Sequence, residues 1–192
     1  MGNGPGGDFQ EFYQANYGRV VAMVAAVLGN RQEAEDVAQE AFARAYARWW
    51  TIRDYAHPDA WVRRVALRLA TDSGRRMRRA VRLVTRLSAA RREPAGATED
   101  VFALSPLGRA LMRVPSSQRQ VLVLHYLLDL SVDAIARDYG LATGTVKSRL
   151  VAGRRRLEHE LAECAKAVQD HRDGQGARRR VGWRVHRPRR GW

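Results

Sequence analysis

Apolar residues recur along this chain at steps of three and four, and nowhere in strict alternation. The clearest run follows Asn30: Ala34, Val37, Ala38, Ala41, Ala45 and Trp49 fall on one helical face. Asn30 with Glu33 three residues on is a capping-box pair, which sets the helix start. An earlier helix is expected from Asp8, capped with Glu11, through Phe12, Val20, Val24, Val27 and Leu28 to a stop at Gly29. Trp49 to His57 breaks the period and is predicted as a loop. Pro58 suits the first turn of a third helix, whose expected buried stripe is Val62, Val65, Ala66 and Leu69.

From about Thr85 to Ser105 the residues turn small, charged and irregular, which predicts a linker. Helix restarts at Ser105 and Pro106 and is interrupted at Pro115. Val121, Leu122, Leu124 and Leu128 mark the next apolar helix. Ser131 caps a short helix that ends at Gly140. Thr143 caps another, with Val146, Leu150, Leu157 and Leu161 along one stripe. The expectation is an all-α chain of two small helical domains joined by a flexible linker. Its predicted segments are a disordered 1–7, a domain over 8–84, a linker over 85–104, a second domain over 105–168 and a basic disordered tail over 169–192.

Charge changes this picture. Lys and Arg total 34 against 20 Asp and Glu, a net charge of +14. Such an excess favours a polyanionic partner, nucleic acid first and anionic membrane second. The single cysteine, Cys164, suits a reducing compartment. The first residues lack the pattern of a signal peptide, and no apolar run approaches the length of a membrane span. A cytoplasmic protein with no membrane insertion is the expectation. His57, His125, His159, His171 and His186 are scattered, with no paired-histidine motif, cysteine cluster or phosphate-binding loop. No enzyme activity, metal or cofactor is expected.

The stretch SVDAIARDYGLATGTVKSRL has the spacing of a helix-turn-helix. Gly140 stands where a left-handed turn residue is needed. Ala134 and Ile135 are expected to pack on Val146 and Leu150. The second helix then offers Thr143, Thr145, Lys147, Ser148 and Arg149 to a DNA groove, with Arg154 further along. An ordinary helical hairpin with a charged face is the bland alternative.

Two further segments carry signal. The helix after Asn30 is acidic in a basic protein. On composition alone, the face bearing Asp36, Gln39 and Glu40 reads as a solvated surface with local ion pairs, with a protein partner as the rival. Trp50, Tyr55 and Trp61 lie beside a helix lined with Arg64, Arg68, Arg75 and Arg76. Aromatic rings in a cationic setting suit single-stranded DNA, whose bases stack on rings. A core role is the equal alternative for Trp49 and Trp61.

Taken together, these blocks resemble a known family. DVAQEAFARAYARW (36–49), DAWVRRVALRLATDSGRRMRR (59–79) and the block from Val114 to Leu150 resemble, in order, the core-binding helix, the promoter-melting helix and the region 4 helix-turn-helix of extracytoplasmic-function (ECF) sigma factors. The style is similar to the actinobacterial SigE branch. The resemblance implies that 8–84 is sigma region 2 and 105–168 sigma region 4. It implies that Asp36, Gln39 and Glu40 meet the clamp helices of the largest subunit of bacterial RNA polymerase core, which reverses the composition-only reading of that face. It implies −10 reading by Trp50, Tyr55, Trp61, Arg64, Arg68, Arg75 and Arg76. It implies −35 reading by Thr143, Thr145, Lys147, Ser148, Arg149 and Arg154. Promoter DNA is then the second partner, and an anti-sigma factor is a candidate partner with no residues assigned to it.

The chain departs from the family pattern at Arg68, where many relatives have Asn, and at Val151, Ala152 and Gly153. Gly153 is expected to weaken its helix by roughly 1 kcal/mol relative to Ala. Deletion of the Arg-rich stretch after Gln169 is expected to lower the salt dependence of promoter binding. Two rival functions are a stand-alone helix-turn-helix regulator and a basic RNA- or membrane-binding adaptor.

Overall fold

The computed structural model describes the backbone of residues 5–87 and 105–181 and the side chains of 8–74 and 105–166. Every element among them is helical. Helix α1 spans Pro5–Leu28, α2 Arg31–Tyr46, α3 Trp49–Ile52 and α4 Pro58–Leu87. Then come α5, Pro106–Arg113, and α6, Ser116–Leu122, which passes directly into a π-helical turn, Val123–Leu127. Helix α7 spans Val132–Tyr139, and α8 Thr143–Val181.

Several helix ends follow the sequence signals. Glu33 N–H donates to Asn30 Oδ1 at 3.1 Å, so Asn30 caps α2. The Glu33 carboxylate does not reach back; it accepts from Ser73 of α4 instead. Helix α1 ends at Gly29, whose φ of +74° needs a residue without a Cβ. Ser105 and Ser131 cap α5 and α7, accepting from Gly108 N–H and Ala134 N–H.

Others differ. Helix α1 begins at Pro5, so Asp8 is a first-turn acid rather than a cap. The predicted loop after Trp49 opens with the short helix α3. Helix α4 runs to Leu87, past the expected linker start, and α8 runs to Val181, into the expected tail. Thr143 is the first residue of α8 rather than its cap; the Ala142 carbonyl accepts from Val146 N–H at 3.1 Å. Residues 1–4, 88–104 and 182–192 lie outside the described residues.

In the first module α1, α2 and α4 pack on one another. Helix α2 buries Ala34, Val37, Ala38, Ala41, Phe42 and Ala45, and its small residues let α1 approach closely. Phe9 and Phe12 seat against the Trp49 ring at 5.2 and 4.9 Å between centroids. Trp49 is only 6% exposed, which settles it as core. On α4 the buried face is Val62, Ala66, Leu67 and Ala70, while Val65 and Leu69 are half-buried. The stripe is rotated from expectation because α4 packs on α1 and α2 and also on α7.

In the second module α5, α6 and α7 all pack on α8. Gly153 is buried, and a Cβ there would lie 3.1 Å from the Leu122 side chain. The glycine expected only to weaken α8 is thus where α6 comes closest to it. Arg119 is buried, and its Nη1 donates to the Met112 carbonyl at 2.9 Å, closing the end of α5. The buried Glu160 carboxylate accepts from Arg156 at 2.8 Å and Arg113 at 3.3 Å. These three arginines therefore serve the fold, and the net charge overstates what is open to a partner.

Candidate functional site

The inward face of α2 is fixed by its small apolar residues, so its outward face follows. Asp36, Gln39 and Glu40 are all exposed on that side. Glu40 pairs with Arg44 at 2.7 Å across one turn, and Arg31 pairs with Glu35 at 2.9 Å nearer the N-terminus. Asp36 has no ion pair among the described residues. Exposed i,i+4 pairs hold weakly, by about 0.3–0.5 kcal/mol, so they yield readily to a basic partner. The residues from sequence are thus together on one open surface.

The aromatic and basic residues divide into three groups. Trp61 and Arg68 line a cleft of about 460 Å³ together with Arg44, Ala47, Arg48 and Val65. Trp61 is half-buried, so one part of its ring is fixed in the fold and the rest faces the cleft. Arg44, Arg48 and Arg68 thus line one recess with Trp61, although Arg44 is also paired with Glu40. Arg44 and Arg48 were missed as members. The available signal was their spacing of four residues, ending beside Trp49, with helix-turn register to carry both to one side.

Trp50 and Tyr55 do not line the cleft. Trp50 is 63% exposed on α3, and the Arg53 guanidinium sits 4.8 Å from its ring centroid. Tyr55 is exposed just beyond α3, and Arg64 is exposed on α4. Arg75 and Arg76 fall on α4, but their side chains lie outside the described residues.

The helix-turn-helix is built as the spacing predicted. Gly140 adopts φ +63° and ψ +38°, the left-handed conformation that closes α7. Leu141 N–H returns to the Ala136 carbonyl at 2.9 Å. Ile135, Val146 and Leu150 are buried together in the core. Ala136 is buried too, whereas Ala134 is only half-buried. Lys147 and Ser148 are exposed on α8, and Thr143, Thr145 and Arg149 are partly so. Ser148 Oγ donates to the Thr145 carbonyl at 3.0 Å, which leaves its oxygen as an acceptor toward solvent. Lys147, Arg149 and Arg154 make no ion pair among the described residues. Their charge is uncommitted, unlike that of Arg156.

Among the described residues no group of three or more His, Cys, Asp and Glu could hold a metal ion. No described helix is long and apolar enough to cross a membrane.

Comparison with known proteins gives a consistent result. Residues 12–83 match the family model of sigma-70 region 2, and residues 104–157 match that of sigma-70 region 4. The chain is 30% identical over 154 residues to the RNA polymerase sigma-E factor of Streptomyces coelicolor, covering 80% of this chain and 86% of that protein. It is 28% identical over 149 residues to the ECF RNA polymerase sigma factor SigW of Bacillus subtilis, covering 71% and 80%. Its fold resembles the sigma factor RpoE of Bartonella quintana, solved in complex with the anti-sigma factor NepR, with a TM-score of 0.63 and 23% identity over 81% of this chain and 97% of that one. Two sigma regions in order, and relatives of the same kind matched over most of their length, show that the chain belongs to the sigma-70 family of RNA polymerase sigma factors, in its ECF branch, and so binds polymerase core and directs promoter-specific initiation at −10 and −35 elements.

Proposed function

We propose a division of labour among the surfaces of this sigma factor. The α2 face with Asp36, Gln39 and Glu40 docks on the clamp helices of the largest polymerase subunit. The cleft of Trp61, Arg68, Arg44 and Arg48 takes a −10 base and its phosphate once the duplex opens, since a base must leave the stack to be read on its pairing edge. Trp50, Tyr55 and Arg64 form an outer rim for the same strand. The start of α8, with Thr143, Thr145, Lys147, Ser148, Arg149 and Arg154, enters the major groove of the −35 element. The domain limits that go with this are 8–84 and 105–168, and the work takes place in the cytoplasm, where polymerase is.

One observation carries the reading. Lys147, Arg149 and Arg154, which make no ion pair among the described residues, lie along α8, while Arg44, Arg48 and Arg68 line one cleft with Trp61. The first arrangement suits duplex phosphate and base edges; the second suits an unstacked base. Region 2 in front of the helix-turn-helix gives no support to a stand-alone regulator, which has no use for it. Run-off transcription with purified polymerase core is the test. The protein should start transcripts at mapped promoter sites, and D36K/E40K should abolish co-migration with core while leaving duplex −35 binding intact. A protein that represses but never initiates would restore the stand-alone regulator.

A further inference from the structure

The buried side of α8 fixes which of its residues point outward. Val146, Leu150 and Gly153 are buried, and α6 and α7 pack on that side. At about 3.6 residues per turn, the opposite line runs through Gly144, Ser148, Val151 and Arg155, at steps of four, three and four. All four are exposed. Lys147 and Arg154 flank this line on one side, and Thr145, Arg149 and Ala152 on the other. A helix lying in the major groove turns its most outward line to the base edges and its flanks to the phosphates of the two strands.

The first three residues of that line carry no charge. Gly144 has no side chain, and a Cβ there would meet nothing within 4 Å, so the backbone can approach the groove floor closely. Ser148 Oγ donates its hydrogen to the Thr145 carbonyl. Val151 is 44% exposed and takes no part in the hydrophobic core. A scattered exposed apolar residue is ordinary. This one stands at the centre of a surface whose flanks are cationic. A β-branched residue is also a poorer helix former than Ala, Arg or Lys. Neither core packing nor helix propensity accounts for a valine here.

The groove supplies a reason. Among base edges in the major groove only thymine offers an apolar group, its C5 methyl; the others present donors and acceptors. An isopropyl group can neither donate nor accept. Against a polar edge it would remove water and return no hydrogen bond. Reach is adequate as well. From Thr143 to Val151 is ~12 Å along the helix at ~1.5 Å per residue, and the major groove is ~12 Å wide.

We propose that Val151 is a specificity-determining residue: it packs on the C5 methyl of one thymine in the −35 element and so fixes an A·T pair at that position. It rests on the reading of α8 given above, which assigns its polar residues to the −35 element and gives Val151 no part.

The test removes the contact from each partner in turn. Holoenzyme is assembled from the full chain and purified polymerase core. Its affinity is measured for promoter duplexes in which each thymine of the −35 element, on either strand, is replaced singly by deoxyuridine, which lacks only the C5 methyl. Wild type should lose about 4-fold at one thymine, the effect of exposing one methyl-sized group. Val151→Ala should bind the unmodified duplex more weakly by at least as much, and should show no further loss at that deoxyuridine. Lys147→Ala should keep the wild-type sensitivity to it. The thermal midpoint of Val151→Ala should match wild type, since the side chain lies outside the core. Val151→Ala that keeps the wild-type response to every deoxyuridine overturns the inference, and so does a wild type indifferent to all of them. Holoenzyme that cannot tell the −35 duplex from a scrambled one sinks the α8 reading itself, and this inference with it.

Discussion

The two modules assemble their candidate DNA surfaces in opposite ways. In the second, everything from the Ser131 cap to Arg154 lies in one stretch of chain, and a single turn at Gly140 fixes the angle. In the first, the cleft needs Arg44 and Ala47 from the end of α2, Arg48 before α3, and Trp61, Val65 and Arg68 from α4. The local surface offers separate, uncommitted cations to a rigid duplex. The assembled one is, on the proposed reading, a single recess for a single base. Losses should therefore be graded on α8 and abrupt at the cleft.

The sharpest way to break that contrast is Trp61→Ala. A base–ring stack is worth about 1–3 kcal/mol, so promoter opening should fall roughly 5- to 140-fold across that range. Permanganate reactivity of the melted strand measures it, with the thermal midpoint as a check on folding. Duplex −35 binding by gel shift should not move. Equal losses in both assays would show that the cleft and α8 are not separate readers.

Next in size is the coupling of the modules through Tyr139. Burial pushes its hydroxyl up to about 12, although the adjacent Arg63, through its charge and its hydrogen bonding toward the phenol, and Arg64 more weakly, pull the other way; Asp138 adds to the rise. The folded state therefore favours the neutral phenol. Its contribution is complete below pH 10 and is lost as pH climbs from about 10 to about 12, on the order of 3 kcal/mol in all. Denaturant midpoints of wild type should fall across that window more steeply than those of Tyr139→Phe. Parallel curves would mean that the contact with α4 does not hold the phenol.

Gly140→Val comes third. A side chain at φ +63° costs roughly 1–2 kcal/mol. Space is not the difficulty, since a Cβ there meets nothing within 4 Å. The thermal midpoint should drop and −35 binding should weaken with it, while core binding stays. The smallest effect is that of Lys147→Ala, exposed at the start of α8. Loss of one phosphate contact should weaken all duplexes alike and lower the salt slope by about 1. A change confined to one base pair would make Lys147 a base reader instead.

The helix-turn-helix was legible because its signals are local. Ser131, Gly140 and the apolar step from Ile135 to Val146 and Leu150 each act within a few residues, and the structure adds little to them. The Asp36, Gln39 and Glu40 surface followed in the same way, as the remainder of a strongly patterned helix. The cleft was only half legible. Trp61 and Arg68 came from composition and family likeness, but Trp50 and Tyr55, equally aromatic, stand outside it. Their spacing of four residues puts Arg44 and Arg48 on one side, but only the approach of α2 to α4 brings that side to Trp61 and Arg68. Gly153 shows the converse: its local propensity predicts weakness, whereas its packing against Leu122 gives the reason for a glycine.

Sequence alone determined that the chain is helical, where several of its helices stop, and which family of transcription factors it joins, because backbone capping and apolar period are short-range properties written residue by residue. Only tertiary structure decided which arginines stay free and which hold the fold, which aromatic lines the recess, and that α4 leans on α7 across the two modules. Most of those outcomes depend on contacts between residues dozens of positions apart, and even the local Arg156–Glu160 pair is held because the packing buries Glu160; burial, rather than residue type, sets whether a charge or a ring is open to a partner.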